Sequence, residues 1–378
     1  MKNIPFNLPF FNGRVLDEIR VAVESGATGG DGPICKEVEQ KLRTLISAHS
    51  VLLTTSGTHA LEMAMMLLRL KPGDEVIVPS FTFVSTANAI IRAGGRPVFC
   101  EINERTLTAN PADIGQRITA RTKAVIPVHY AGVAAEMDEI MEIAKARNLS
   151  VVEDAAQGVN ARYKGRYLGT IGDCGAFSFH VTKNYISGEG GAFVTQDENL
   201  ARAAEIVREK GTNRSRFLRG EVDKYTWVDL GSSYVLSDLL AAVLKSQLSD
   251  LDLIGRERKR IHDGYMSGLK ELEDRERLRL PVIPPYCDTN YHIFYILLGS
   301  EAERVSVSQK LKETGIGTTF HYVPLHSSPY ARSALGTDGL RLPVTDRVYE
   351  RLLRLPIYPQ LTDEDVGRVI ERLRALLP

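Results

Sequence analysis

The middle of the chain alternates short apolar runs with longer amphipathic stretches. The apolar runs are rich in Val, Ile and Phe, and they occupy residues 75–78, 97–100, 124–128 and 150–152. Short runs without polar alternation are typical of strands that are buried on both faces. The stretches between them have helical character, as at residues 58–70 and 136–147. This alternation predicts an α/β fold in which a mostly parallel sheet lies between helices.

Two more strands are predicted at residues 176–179 and 192–195, and the pattern changes after residue 249. A long charged helix is followed by a strand, another helix and a final helix that begins at Thr362 with acids in its first turn. We therefore predict a large domain over residues 1–248 and a smaller C-terminal α+β domain over residues 249–378.

Composition and charge exclude several classes of protein. The 378 residues carry 47 basic and 47 acidic side chains, whereas proteins dedicated to nucleic-acid binding usually carry a basic excess. The four cysteines and eight histidines form no metal-binding spacing, so no metal is expected. No apolar segment reaches the length of a membrane span, and the proline-broken N-terminus has no signal core. We expect a cytoplasmic protein with reduced thiols.

The candidate chemistry lies in Lys183 and Asp154. Lys183 follows a serine-containing apolar strand and precedes a glycine-rich turn, and Asp154 ends another apolar strand. Pyridoxal 5′-phosphate (PLP) needs an amine to bond its aldehyde and a carboxylate to keep its ring nitrogen protonated. The separation, 183 − 154 = 29 residues, leaves room for a turn and one more strand. Burial of Lys183 would lower its pKa and supply the neutral amine.

A second feature is the sequence Ser56-Gly57-Thr58, which opens a strongly apolar helix. Free backbone N–H groups and the helix dipole make such a helix start suitable for a phosphate. Taken alone, the segment is more often a plain Ser/Thr helix cap, and its agreement with Lys183 and Asp154 favours the phosphate. Ser178 is a candidate phosphate donor. Phe83 is a candidate to stack on the cofactor ring or, with equal weight, a core phenylalanine.

These motifs resemble those of the DegT/StrS-type sugar-nucleotide aminotransferases. The matching stretches are SGTHALEMA, VVEDAAQG, FSFHVTKNYISGEGGA and FHYVPLH. The resemblance covers nearly the whole chain and implies a fold-type I PLP-dependent enzyme. Within the family, the chain is most similar to the transaminases that make dTDP-4-amino-4,6-dideoxygalactose from dTDP-4-keto-6-deoxyglucose. The stretches that carry this similarity include PSFTFVSTANA, PVHYAGVAAEMD and LLRLPIY. The resemblance also implies L-glutamate as amino donor and a homodimer with the active site at the subunit interface.

The resemblance implies roles by position. Lys183 matches the catalytic lysine, and the predicted cofactor-binding residues are Gly57, Thr58, His59, Phe83, Asp154, Gln157, Ser178 and Lys183. One position departs from the common pattern, because Val235 stands where many members have an asparagine that reaches the partner subunit's phosphate. A valine cannot donate a hydrogen bond, so that contact must come from elsewhere or be missing.

The predicted substrate-binding residues are Tyr185, Arg214, His321, Tyr322 and His326. Arg214 lies in a stretch, residues 208–224, with six basic and three acidic side chains. Such a run is either a solvated loop or a mobile segment that holds a nucleotide diphosphate.

Other functions remain open at this point. One alternative is a 3- or 4-aminotransferase that acts on another nucleotide-linked keto sugar. Another is a non-catalytic regulator with the same fold. A PLP lyase or desulfurase is a further alternative, but no cysteine lies in a matching loop.

Overall fold

The computed structural model describes residues 3–378. Its strands are β1 (Ser50–Thr54), β2 (Glu75–Pro79), β3 (Arg96–Cys100), β4 (Thr122–Val125), β5 (Ser150–Asp154), β6 (Arg162–Tyr163), β7 (Arg166–Tyr167), β8 (Cys174–Ser178), β9 (Gly191–Thr195), β10 (Cys287–Asp288), β11 (Phe294–Leu297) and β12 (Leu352–Leu355). Its α-helices are α1 (Arg14–Glu24), α2 (Pro33–Ile46), α3 (Gly57–Leu67), α4 (Val84–Arg92), α5 (Pro111–Arg117), α6 (Met137–Arg147), α7 (Glu198–Arg208), α8 (Arg214–Leu218), α9 (Asp238–Leu248), α10 (Leu251–Asp274), α11 (Glu301–Glu313), α12 (Pro343–Arg351) and α13 (Asp363–Leu376).

A seven-stranded sheet with the order β1-β9-β8-β5-β4-β2-β3 forms the centre of the molecule. Strands β3, β2, β4, β5 and β8 are parallel to one another, whereas β9 is antiparallel to both β8 and β1. The predicted α/β class with a mostly parallel sheet is confirmed. Because parallel strands end at the same edge, Asp154 at the end of β5 and Ser178 at the end of β8 meet there.

Helices cover both faces of this sheet, and neighbouring strand residues belong to different core clusters. Val151 packs into a cluster with residues of α2, α6 and α9, and Val152 packs on the opposite face with residues of α3, α4 and α7. Successive side chains of a strand point to opposite faces, which explains why these strands are continuously apolar.

A further core cluster involves the C-terminal part of the chain. Helices α10 and α13 pack on the β11–β12 pair, and Ile4 from the N-terminal segment joins them. Ile254 on α10 belongs to the core of the central sheet, whereas Ile261 on the same helix belongs to the C-terminal core. Helix α10 thus joins the two cores, and the domain boundary at residue 249 stays a prediction.

The predicted C-terminal elements occur with one difference. The strand expected at residues 291–297 is shorter, because Tyr291 has a left-handed φ of 54° and its carbonyl accepts a hydrogen bond from Arg258. The final helix begins as predicted with a capping box between Thr362 and Asp365. In the described part of the chain, no helix is both long and apolar enough to cross a bilayer.

Candidate active site

A cavity of about 690 Å³ opens at the carboxyl edge of the central sheet and extends towards β12. Nine of the predicted site residues line it: Gly57, Thr58, Phe83, Asp154, Gln157, Ser178, Lys183, His321 and Tyr322. Four others do not: His59, Tyr185, Arg214 and His326. The structure therefore gathers most of the predicted cofactor-binding set around one space.

Lys183 lies in the connection between β8 and β9, where its backbone N–H donates to the carbonyl of His180 at 2.8 Å. Its amine reaches into the cavity and has no hydrogen-bond partner within residues 3–378. Desolvation lowers the pKa of Lys183 to about 8, against the opposing attraction of Asp154 and together with repulsion from Arg354. The neutral fraction of this amine near neutral pH is therefore much larger than that of an ordinary lysine, and the neutral amine is the form that attacks an aldehyde.

Asp154 is buried at the end of β5 and is held by two hydrogen bonds. Thr86, in the first turn of α4, donates its hydroxyl to Asp154 Oδ2 at 2.7 Å, and the backbone N–H of Ala156 donates to Oδ1 at 3.1 Å. These two donors fix the orientation of the carboxylate. The sequence does not identify Thr86 as a site residue, because no local motif links it to Asp154, which lies 68 positions further along the chain.

Gln157 is oriented by hydrogen bonds at both ends of its amide. Its oxygen accepts from the backbone N–H of Ala131 at 2.7 Å, and its nitrogen donates to the hydroxyl of Tyr322 at 3.0 Å. These partners fix which way the amide points. The Tyr322 ring, which the C-terminal part of the chain supplies, is thereby attached to the wall of the central sheet.

The phosphate end of the cavity is formed by the start of α3 and the end of β8. A Cβ added at Gly57 would lie 2.9 Å from Ser178 Cβ, so only glycine lets the two elements approach this closely. Thr58 Oγ1 lies 2.7 Å from Ser85 Oγ, and Ser178 Oγ accepts from the N–H of His180 at 3.4 Å. Hydroxyls and helix N–H groups thus converge on one corner.

Phe83 is not a core residue. Its side chain is 56% exposed, it lines the cavity, and its ring centroid lies 6.4 Å from that of Tyr322. Of the two roles left open by the sequence, the structure therefore excludes packing in the core, and the ring is available to a planar ligand.

His321, Tyr130 and Arg354 form a hydrogen-bonded chain in the cavity wall. Arg354 Nη1 lies 3.0 Å from His321 Nε2, and His321 Nδ1 lies 3.2 Å from the Tyr130 hydroxyl. Burial and the nearby charges of Arg354 and Lys183 lower the pKa of His321 to about 2. Because an arginine only donates, the neutral imidazole accepts at Nε2 and donates from Nδ1 to Tyr130. Arg354 and Tyr130 were not identified from sequence, although Arg354 lies within the quoted motif LLRLPIY.

Three of the predicted residues have side chains that pack outside this cavity. The His59 ring packs on Tyr234, with centroids 4.8 Å apart, so its predicted role in holding phosphate does not involve the ring. Tyr185 is 1% exposed and accepts from Asn160 at 3.4 Å, which places its hydroxyl in the core instead of against a substrate. His326 is also buried, 2.8 Å from the Ser80 hydroxyl. Spacing along the chain did not reveal which face these side chains occupy.

Arg214 begins helix α8 and pairs with Glu209 at 3.1 Å, outside the cavity of this chain. Val235 packs against Gly30, where an added Cβ would lie 2.4 Å from Val235 Cγ2. Neither position donates to the cavity from within the same chain. A role of Arg214 towards a partner subunit stays a prediction.

The cavity suits PLP. The helix start with its hydroxyls offers a phosphate site, Phe83 offers a ring face, and Asp154 offers a carboxylate. The Lys183 amine makes no hydrogen bond within residues 3–378 and faces the same space. Residues 3–378 contain no group of three or more His, Cys, Asp or Glu side chains that would hold a metal ion.

Comparisons with known proteins agree with this geometry. Residues 12–374 match the model of the DegT/DnrJ/EryC1/StrS aminotransferase family. The spore coat polysaccharide biosynthesis protein SpsC from Bacillus subtilis is 33% identical over 381 residues, which covers 99% of this chain and 97% of SpsC.

Two solved structures have similar folds. DesV from S. venezuelae, solved with a ketimine intermediate, has a TM-score of 0.89 and 32% identity, covering 99% of this chain and 98% of DesV. NtdA from Bacillus subtilis, solved with the cofactor PMP bound, has a TM-score of 0.89 and 30% identity, covering 100% of this chain and 86% of NtdA. The chain belongs to the DegT/DnrJ/EryC1/StrS aminotransferase family.

Proposed function

We propose that this protein transfers an amino group from L-glutamate to C4 of dTDP-4-keto-6-deoxyglucose, giving dTDP-4-amino-4,6-dideoxygalactose for a bacterial surface polysaccharide. The cofactor is PLP, in line with the family and with the PMP bound in NtdA. The single observation that carries the proposal is that Lys183, whose pKa burial lowers, and the hydrogen-bonded Asp154 line one cavity.

The bound cofactor supplies an electron sink that makes removal of a proton from the donor's α-carbon possible. Asp154, held in place by Thr86, would pair with the ring nitrogen of the bound cofactor. The Lys183 amine accepts the proton at its Nζ and returns it, a general acid–base role for which its lowered pKa is suited. Gln157 and Phe83 would orient the ring, and the wall formed by the buried Tyr130 and the partly buried Tyr322 would limit the access of water.

The size of the cavity supports a substrate larger than an amino acid. A space of about 690 Å³ is in the range of pockets for drug-sized ligands, and it is lined by polar groups from both ends of the chain. The similar protein SpsC is a spore coat polysaccharide biosynthesis protein, which supports an activated sugar as acceptor.

We also propose that the protein is a cytoplasmic homodimer in which the segment around Arg214 reaches the partner's cavity. Four buried cysteines without disulfides suit a reducing compartment. Leu218, Trp227 and Leu230 are each more than 60% exposed and lie near Arg214 in sequence, and such an apolar patch is typical of an interface.

The test is an amination assay with purified protein, L-glutamate and PLP. Mass spectrometry of the product should show replacement of the C4 oxygen of dTDP-4-keto-6-deoxyglucose by an amine, and the UDP analogue should react more slowly. Unchanged dTDP-sugar beside turnover of another nucleotide-linked keto sugar would overturn the substrate, and no turnover of any keto sugar would overturn the function.

A further inference from the structure

Glu189 lies in the glycine-rich turn that follows Lys183, and its side chain lines the cavity. Within residues 3–378, Glu189 and Asp154 are the only carboxylate side chains in the lining, which also includes three cationic side chains. The side chain of Glu189 is 61% exposed, so its charge lies at the open side of the cavity. The chemistry of Lys183 and Asp154 does not use this second carboxylate.

The backbone of the turn is held at several points, so the fold fixes where Glu189 begins. Gly188 has a left-handed φ of 85°, and a Cβ added at Gly190 would lie 2.3 Å from Ser187 Oγ. The Phe179 N–H donates to the Gly190 carbonyl and the Ser187 N–H donates to the Phe179 carbonyl, both at 2.8 Å. The Ser187 hydroxyl donates to the Glu189 carbonyl at 2.9 Å. The turn is thus attached to the chain that continues from β8.

His180 approaches the Glu189 carboxylate from the same wall of the cavity. Its Nε2 lies 3.5 Å from Glu189 Oε1. Its Nδ1 accepts from the backbone N–H of Thr182 at 3.3 Å and lies 2.8 Å from the Thr182 hydroxyl. Because Nδ1 accepts, the neutral imidazole carries its proton on Nε2, which faces the carboxylate. No residue of the described chain donates to the other oxygen, Oε2.

The charge of Glu189 restricts which ligand groups it would bind. A carboxylate accepts hydrogen bonds and repels anions, so neither a phosphate nor the carboxylates of an amino donor suit it. The amino group of the donor has to reach the place of the Lys183 amine, and the nucleotide base is separated from the reacting sugar by two phosphates. The hydroxyl groups of the sugar remain as donors.

We propose that Glu189 binds the C2 and C3 hydroxyl groups of the keto sugar, an assignment that rests on the proposed function. A 4-keto-6-deoxy sugar has these two free hydroxyl groups on its ring, and the C3 hydroxyl lies next to the reacting carbonyl. Two neighbouring hydroxyls suit the two oxygens of one carboxylate, and hydrogen bonds to an ionised acceptor are stronger than neutral ones. Glu189 would therefore select acceptors that carry both hydroxyls.

The experiment compares wild type and Glu189→Ala on dTDP-4-keto-6-deoxyglucose and on its analogues without the C2 or the C3 hydroxyl. We expect kcat/KM for the complete sugar to fall about 30-fold in Glu189→Ala, because hydrogen bonds to a charged group are lost. Wild type should disfavour each analogue, whereas Glu189→Ala should treat all three acceptors alike to within about 3-fold. Amino transfer from L-glutamate to the cofactor, followed by absorbance, should be unchanged, which shows that the variant is folded.

Two further variants sharpen the result. Glu189→Gln keeps the shape and one accepting oxygen, so its loss with the complete sugar should be smaller than that of Glu189→Ala. Glu198→Ala removes an exposed carboxylate of α7 that pairs with Arg202 outside the cavity, and it should match the wild type.

Several results would overturn the assignment while amination by the wild type upholds the proposed function. These are no loss in Glu189→Ala, an equal loss on all three acceptors, a loss in the transfer from L-glutamate, or a wild type that does not distinguish the analogues. Wild-type protein that takes an amino group from L-glutamate but aminates none of the three acceptors would contradict the proposed function, and the assignment with it.

Discussion

At the scale of single residues, burial controls the chemistry of Lys183. Desolvation is the largest influence on its pKa, and the attraction of Asp154 only partly offsets it. Asp154 in turn depends on Thr86, a contact that aligns the carboxylate from α4. The reactive pair is thus set by packing around it as much as by the two residues themselves.

The pH dependence of Lys183 follows from this setting. In the apoprotein, the rate at which an amine-directed reagent modifies Lys183 should rise with pH, pass its midpoint near pH 8 and level off above it, because only the neutral amine reacts. Peptide mass spectrometry measures the rate at each pH. Lys270, whose pKa the neighbouring Asp274 raises, is the control, and its modification rate should still be rising with pH above pH 8. A Lys183 midpoint near its ordinary 10.5 would contradict the role of burial.

Thr86→Val tests the support of Asp154. The substitution removes a hydrogen bond to a buried carboxylate at almost constant volume, so kcat for amination should fall about 10-fold. Thr44→Val, on the exposed side of α2, removes a hydroxyl that donates to the Gln40 carbonyl and should leave kcat unchanged. Equal rates for wild type and Thr86→Val would show that Asp154 needs no such support.

Sequence reasoning identified the residues that belong to local motifs and missed those that come from elsewhere. Lys183, Asp154 and Gln157 follow recognisable strands, whereas Thr86 and Arg354 reach the cavity from distant parts of the chain. Tyr185 shows the opposite error, because nearness to Lys183 in sequence did not place its side chain in the same space.

At the scale of elements, the site depends on how closely α3 approaches β8. The helix start meets the end of the strand at Gly57 and Ser178, where hydroxyls and N–H groups surround one corner of the cavity. The apolar runs predicted these strands well, because a strand that is buried on both faces has a continuously apolar sequence. Their closest approaches were not predictable, since they depend on tertiary packing.

Gly57→Ala should weaken cofactor binding. The added methyl group would lie 2.9 Å from Ser178 Cβ and push the helix start away from the strand, so the Kd for PLP should rise about 10-fold or more. Fluorescence titration of the apoprotein measures it. Gly115→Ala, in helix α5 with nothing within 4 Å of the new Cβ, is the matched control and should bind PLP normally. Equal Kd values for both variants would argue against a phosphate site at this helix start.

At the scale of the whole molecule, the cavity draws on both ends of the chain. Phe6 and Arg354 line it together with the strand ends of the central sheet. The exposed apolar side chains of residues 217–230 lie outside the two cores, which is the expected position for a surface that meets a second copy.

The proposed dimer gives a direct expectation. In sedimentation equilibrium the protein should have a mass near 83.8 kDa, which is twice the 41.9 kDa of one chain. Trp227 is 75% exposed, and Trp227→Ser should weaken the dimer about 30-fold because buried tryptophans often dominate interfaces. Val305→Ser, at an exposed valine of α11, should have no effect. A wild-type monomer at micromolar concentration would contradict the dimer.

The most direct measurement concerns the bond between Lys183 and the cofactor. Protein loaded with PLP is reduced with borohydride, digested and analysed by peptide mass spectrometry. The mass of the reduced cofactor should appear on the peptide that contains Lys183, and the Lys183→Ala protein should neither carry this mass nor transfer an amino group. A label on a different lysine, or transamination that persists in the alanine variant, would contradict the assignment of Lys183.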